Sequence, residues 1–264
     1  MWSNLAKLAR YRGLIQSLVA RELKARYRGS VLGFFWSFVN PLMMLSIYTF
    51  VFSTLLPNPD KRTTPFAVFM FSGILPWSWF STSLLEASTS LIAGGNLIKK
   101  VLFPAEILPI VSVLSNLVHF AFGLPILLAF MIGTNHYPDL RDLPWLPVVV
   151  LVQFIFTVAM ALVLAALTVH FRDIRDLLAN VIQFWFFATP IVYAYFLPSV
   201  QSFLWAFRLN PVYHLIVSYQ ELLFFHGPFG HLRSLLLLGV ASTLFFIAGY
   251  WLFDRLRDSF AEVV

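Results

Sequence analysis

Two aspartate pairs have D-x-x-D spacing, Asp139 with Asp142 and Asp173 with Asp176. Carboxylates three residues apart meet on one face of a helical turn and can hold Mg²⁺ for phosphate chemistry. A membrane glycosyl- or prenyl-transferase acting on a lipid phosphate would need such a pair. Here Arg172 and Arg175 interleave with the second pair and compete for it, and Arg141 sits inside the first. The six histidines are scattered, and His119 stands alone in an apolar run where packing explains it as well as ligation does. The chain has no cysteine, which excludes thiolate chemistry, disulfides and cysteine metal sites. No G-x-x-x-x-G-K-[ST], G-x-G-x-x-G, H-E-x-x-H or G-x-S-x-G occurs. The chain therefore does not hold ATP by a P-loop, and no cofactor of its own is expected.

The elements that carry these residues belong to a membrane. Of the 264 residues, 59% are hydrophobic and only 11% charged, against roughly 25% charged in soluble domains. There is too little polar surface to cover a globule in water. Runs long enough to cross a bilayer, about 20 apolar residues, lie at Val31–Leu56, Phe66–Ala93, Ile107–Gly133, Trp145–Val169, Leu177–Leu197 and Leu235–Phe253. The short-period alternation of a barrel is absent. The expected fold is all-α with six spans. Glu86 is the one formal charge inside them. An intramembrane acid is by default a functional candidate. A proton pathway needs more than one such group, so water or a partner across the bundle is the expected company of Glu86.

Lys and Arg set the orientation. Thirteen fall before the first span, in the second-to-third and fourth-to-fifth loops and in the tail; five fall on the other side. Both termini are thus expected in the cytoplasm. The net charge of +6 sits mostly at that face, where topology and anionic lipids account for it, and nucleic acid need not be invoked. The first 30 residues are too charged for a cleavable signal peptide.

Residues 1–30 read as an amphipathic helix lying in the cytoplasmic interface. Leu5, Leu8, Tyr11, Ile15, Leu18 and Val19 share one face, and Arg10, Arg21, Lys24 and Arg28 lie opposite. Two cytoplasmic loops, "NLIKKVLF" and "FRDIRDLL", are short, greasy and charged at once. Ordinary loops are polar and rich in Gly and Ser. Each of these reads as a helical turn that docks on something, or as a solvated turn whose charges neutralise each other, as Arg172 and Asp176 would at i,i+4. Proline breaks at Pro41 and Pro190 are tolerated in lipid only where protein or a cavity satisfies the freed backbone. Trp36, Tyr48, Trp185, Tyr193, Tyr195 and Tyr213 gather near these breaks in the sequence. Aromatic faces with polar tips suit sliding contact with sugar rings, and they also suit packing or an interface belt. "RLNPVYHLIVSYQELLFFHGPFGH" is semi-polar and reads as a re-entrant helical hairpin in the outer leaflet. One permease domain results: residues 1–30 the interface helix, 31–197 spans one to five, 198–232 the gate region, and 233–264 the last span and tail.

Four stretches in order, "RELKARYRGSVLGFFWSFVNPL", "NLIKKVLFPAEILP", "FRDIRDLLANVIQFWFFATPIVY" and "LNPVYHLIVSYQELLF", resemble the membrane subunits of bacterial polysaccharide-exporting ABC transporters. The chain is especially similar to O-antigen and wall teichoic acid exporters. The resemblance implies a homodimer with a channel on its two-fold axis and two copies of a separate ATPase subunit that holds ATP and Mg²⁺. It implies export of a polysaccharide on a polyprenyl diphosphate carrier across the inner membrane. It also implies two ATPase contacts. One is formed by Asn96, Lys99, Lys100, Val101, Leu102 and Phe103. The other is formed by Arg172, Asp173, Ile174, Arg175 and Asp176. An efflux permease for drugs or small lipids would share this architecture.

Overall fold

A computed structural model describes residues 11–26, 28–55, 61–99 and 103–263. Arg10, Lys100, Val101 and Leu102 therefore lie outside the described residues. Every regular element among those described is helical. In chain order they are α1 (Arg12–Arg26), α2 (Trp36–Phe50), α3 (Phe66–Ala93), α4 (Gly95–Ile98), α5 (Ile107–Gly133), α6 (Leu146–His170), α7 (Ile174–Phe187), α8 (Pro198–Gln201), α9 (Leu204–Leu209), α10 (Pro211–Leu223) and α11 (Leu232–Val263).

Four segments are long and apolar enough to cross a membrane: Phe66–Ala93, Ile107–Gly133, Leu143–His170 and Leu232–Phe260. They are four of the six expected spans. The other two are shorter as helices. Gly29 and Gly33 take positive φ, +79° and +48°, so helix begins only after them, and α2 then runs through Pro41 into a π-helical turn at Val51–Leu55. The segment 177–197 is not one helix. It starts early, because Ile174 already opens α7, and stops at Phe187, ahead of Pro190, which cannot continue the ladder. Its 14 residues reach about 21 Å.

The centre is α3, buried on most of its surface and packed by α2, α5, α6, α7 and α10. Between apolar helices in lipid there is little hydrophobic drive, so close backbone approach and hydrogen bonds must hold the bundle. Both are present. A Cβ at Gly123 would lie 2.2 Å from Leu75 Cδ1, and one at Gly249 would lie 3.2 Å from the Ala159 carbonyl oxygen. Buried glutamines satisfy carbonyls at two prolines: Gln153 Nε2 donates to Pro76 (2.8 Å) and Gln220 Nε2 to Pro190 (2.9 Å). α10 opens with Asn210 as N-cap, accepting from the Val212 N–H at 3.0 Å, and with Pro211 in its first turn. Ten of its residues are buried, so it is a core element despite its polar sequence.

The helices define two ends. At the near end lie α1, α4, the start of α7 and the last turns of α11. Gly94 turns the chain there against Leu108, and His170 Nε2 pairs with Ser259 Oγ at 3.0 Å. At the far end, Asp142 accepts from the Phe229 N–H (3.0 Å) and His136 Nε2 donates to the Phe224 carbonyl (2.7 Å). Burial, and secondarily the neighbouring His226, pushes the His136 pKa below its ordinary value.

Candidate functional site

Two charged clusters lie at the near end. The first is the opening turn of α7. Arg172, Asp173, Arg175 and Asp176 are all exposed, and Ile174 is half-buried. None of the four charges forms an ion pair with another described residue. Arg172 and Asp176, four apart, do not close on each other. The turn continues into an apolar stripe that faces outward: Leu177, Val181, Phe184 and Phe187 are exposed, Phe184 at 78%. Charge and apolar surface stand side by side, with no ion-pair partner among the described residues.

The segment before α5 is built differently. Asn96 and Lys99 are exposed on and just after α4, while Leu97 and Ile98 pack inward against the main core. Phe103 packs against Leu18 of α1 and Ile107 and Val111 of α5. α4 also touches α11. The described part of this segment is thus anchored on its apolar side and presents Asn96 and Lys99 outward.

The second charged cluster is closed. Arg26 Nη2 donates to both Glu86 oxygens (2.8 and 2.9 Å), and its Nη1 donates to Asn116 Oδ1 at 3.2 Å. Asn116 Nδ2 donates in turn to Glu86 Oε2 at 2.7 Å. Three elements, α1, α3 and α5, meet through one guanidinium. Glu22 lies on α1 one turn before Arg26. Burial and the Glu86 charge raise its pKa, and Arg26 opposes them. Glu86 thus has its expected partner across the bundle. Sequence reasoning did not find Arg26 or Asn116, although an amide within "SVLSNLVHF" is a visible polar break in an apolar run. Glu106 was also missed. It is 5% exposed at the N-terminal end of α5, 3.5 Å from the Tyr250 hydroxyl.

Arg21, Lys24 and Arg28 are exposed, as a charged helix face requires. The opposite face of α1 is occupied: Tyr11, Leu14, Ile15 and Val19 pack with Leu18 on α5.

The aromatics divide. Trp185, Tyr193, Tyr195 and Tyr213 come together around the break after α7. Trp185 Nε1 donates to Asn210 Oδ1 (2.8 Å) and the Tyr193 hydroxyl to the Phe187 carbonyl at the helix end (2.7 Å). The Tyr195 hydroxyl reaches 3.5 Å from Glu221, which His231 Nδ1 holds at 2.6 Å. Tyr213 is 2% exposed. Trp36, bonded to Ser30 Oγ at 2.9 Å, and Tyr48 lie on α2, which packs on α3 and α5 and stands apart from that group. Among the described residues no group of three or more His, Cys, Asp or Glu side chains gathers at one place.

The ABC-2 type transporter family matches residues 13–224. The chain is 38% identical over 98% of both chains to the O-antigen export system permease protein RfbA of Myxococcus xanthus. It is 31% identical, over 95% of both chains, to a protein of the same name from Klebsiella pneumoniae, and 30% identical over 95% to another from that organism.

Proposed function

The chain belongs to the ABC-2 type transporter family, and we propose that it is the permease through which a bacterium exports a lipid-linked polysaccharide of the O-antigen kind. Similarity along nearly the whole length to permeases so named carries this reading. In it the chain makes and breaks no covalent bond. ATP and Mg²⁺ belong to a separate ATP-binding subunit, present in two copies on a homodimer of this chain, and the chain needs no cofactor of its own.

The open cluster supports the partner. Arg172, Asp173, Ile174, Arg175 and Asp176 form one docking contact; Asn96, Lys99 and Phe103, with Lys100, Val101 and Leu102, form the other. The near end is then cytoplasmic and carries both termini. α2 with its π-helical turn, and α7 with the broken stretch after it, are read as the first and fifth of six spans. α1 is the interface helix, with Arg10, Arg21, Lys24 and Arg28 toward lipid headgroups, and the segment from Pro198 to Leu232 is the re-entrant outer gate. A polymer sliding outward needs contacts that are many and individually weak. Trp185, Tyr193 and Tyr195 serve there, with Trp36 and Tyr48 on the first span. Tyr213, buried beneath them, supports their floor.

Expression of the chain with its ATP-binding partner in a bacterium deleted for its own O-antigen permease tests the reading. Surface polysaccharide returns if it is right. Lipid-linked polymer trapped inside, together with new resistance to hydrophobic drugs, would instead identify an efflux permease.

A further inference from the structure

Polar side chains form a track behind α1. On α3, Ser78, Thr82, Glu86 and Ser90 recur every four residues, the spacing of one helix face. Ser112, Asn116 and His119, four and then three residues apart, share one face of α5 in the same way. Two cavities follow the track. One of about 200 Å³ has Arg26 and Asn116 in its wall, and one of about 340 Å³ has Glu22 and Glu86. The Arg26–Glu86 pair stands between them, its side chains 26% and 33% exposed. An ion pair between two such spaces can part and re-form without entering lipid.

α1 is fastened twice. Its apolar face joins Phe103, at the end of the first docking contact. Its last residue, Arg26, joins α3 and α5. Beyond it the chain passes Gly29 and Gly33, both at positive φ with no atom crowding a Cβ position, and enters α2. Nothing in the glycines' surroundings ties this link to the bundle. A displacement of Phe103 moves α1, and the joint at Arg26 decides whether α3 and α5 follow or the link absorbs it.

We propose that Arg26, Glu86 and Asn116 are positioning residues for transport, joining α1 to α3 and α5 so that movement of the Asn96–Phe103 contact enters the bundle. The inference rests on the permease reading. The guanidinium fork is what lets one side chain hold groups from two helices at once.

The test uses the full chain with its ATP-binding partner in lipid nanodiscs and in proteoliposomes. The chain has no cysteine, so spin labels at Gln16→Cys on α1 and Ile92→Cys on α3, in complexes where one copy is labelled and the other is not, report one distance. In the wild type that distance is the same with and without ATP. In Arg26→Gln it shifts when ATP is added, and polysaccharide exported per ATP hydrolysed falls roughly tenfold, the scale of one charge-assisted hydrogen bond. Arg26→Lys keeps the charge and loses the fork, so it should assemble normally and fall between the two. The swap Arg26→Glu with Glu86→Arg should recover part of the ratio. An unchanged ratio in both Arg26→Gln and Arg26→Lys overturns the proposal, and so does a loss of export only in proportion to lost complex. If wild-type complex exports no polysaccharide, the function reading has failed, while the spin-label distance still decides whether the joint holds α1 to α3.

Discussion

The two charged clusters at the near end stand in opposite states. Arg26 and Glu86 have found each other across two helices, and Asn116 from a third bonds both. At the start of α7 four charges stand exposed with no ion-pair partner among the described residues. The first arrangement joins three helices, and removing one member leaves another unpaired inside the bundle. The second does nothing for this chain, since exposed charges contribute little to a fold. In a chain with only 11% charged residues, four of them open in one turn are what the proposed docking on another subunit would use.

Mutations separate the two states. The largest effect is expected from Arg172→Ala with Arg175→Ala. Two lost charge-assisted contacts of about 1.5 kcal/mol each should weaken ATPase association by over a hundredfold, read by titrating the subunit onto the permease in nanodiscs. The melting temperature of the isolated permease should not move, since surface substitutions shift stability by only about 0.5 kcal/mol. A comparable loss of stability would break the comparison. Glu86→Ala should do the reverse: about 1–3 kcal/mol of stability lost in denaturant unfolding of the detergent-solubilised chain, because Arg26 and Asn116 lose their acceptor.

Between the clusters, Gly94→Ala places a Cβ 2.4 Å from Leu108 Cδ1 and 3.0 Å from the Ser90 carbonyl oxygen. The leucine can give way, so about 1 kcal/mol is expected, with the first docking contact disturbed and the second intact. Cross-linking at each contact would sharpen the comparison. The smallest effect belongs to the far end. His136 is held neutral by burial, below its ordinary value of 6.5. Its folded pKa is depressed, so its share of stability is complete above 6.5 and is lost as pH falls below it. A pH series of melting curves should show a loss of less than about 1 kcal/mol, flattened in His136→Gln.

The spans around α3, α5, α6 and α11 were legible because continuous apolar runs are a local property. The helix 174–187 was half legible. Pro190 announced its end, but the charged residues at its start looked like a turn of their own, and only the backbone ladder shows that the turn and the helix are one. The closed cluster was not legible. Arg26 and Asn116 stand 60 and 30 positions from Glu86 in the sequence, and no periodicity links them. The aromatics show the same limit. Their proximity to prolines in sequence placed four of them together. It did not separate off Trp36 and Tyr48, nor did it indicate that Tyr213 is buried, since which side of a short helix faces inward depends on what packs there.

Accessibility of the α7 turn tests the central claim most directly. With Asp173→Cys as the sole cysteine, a membrane-impermeant maleimide added to inside-out vesicles should label the chain rapidly when it is alone and slowly when the ATP-binding subunit is bound. Equal labelling in both conditions, or labelling only from the opposite side of the membrane, would contradict the account.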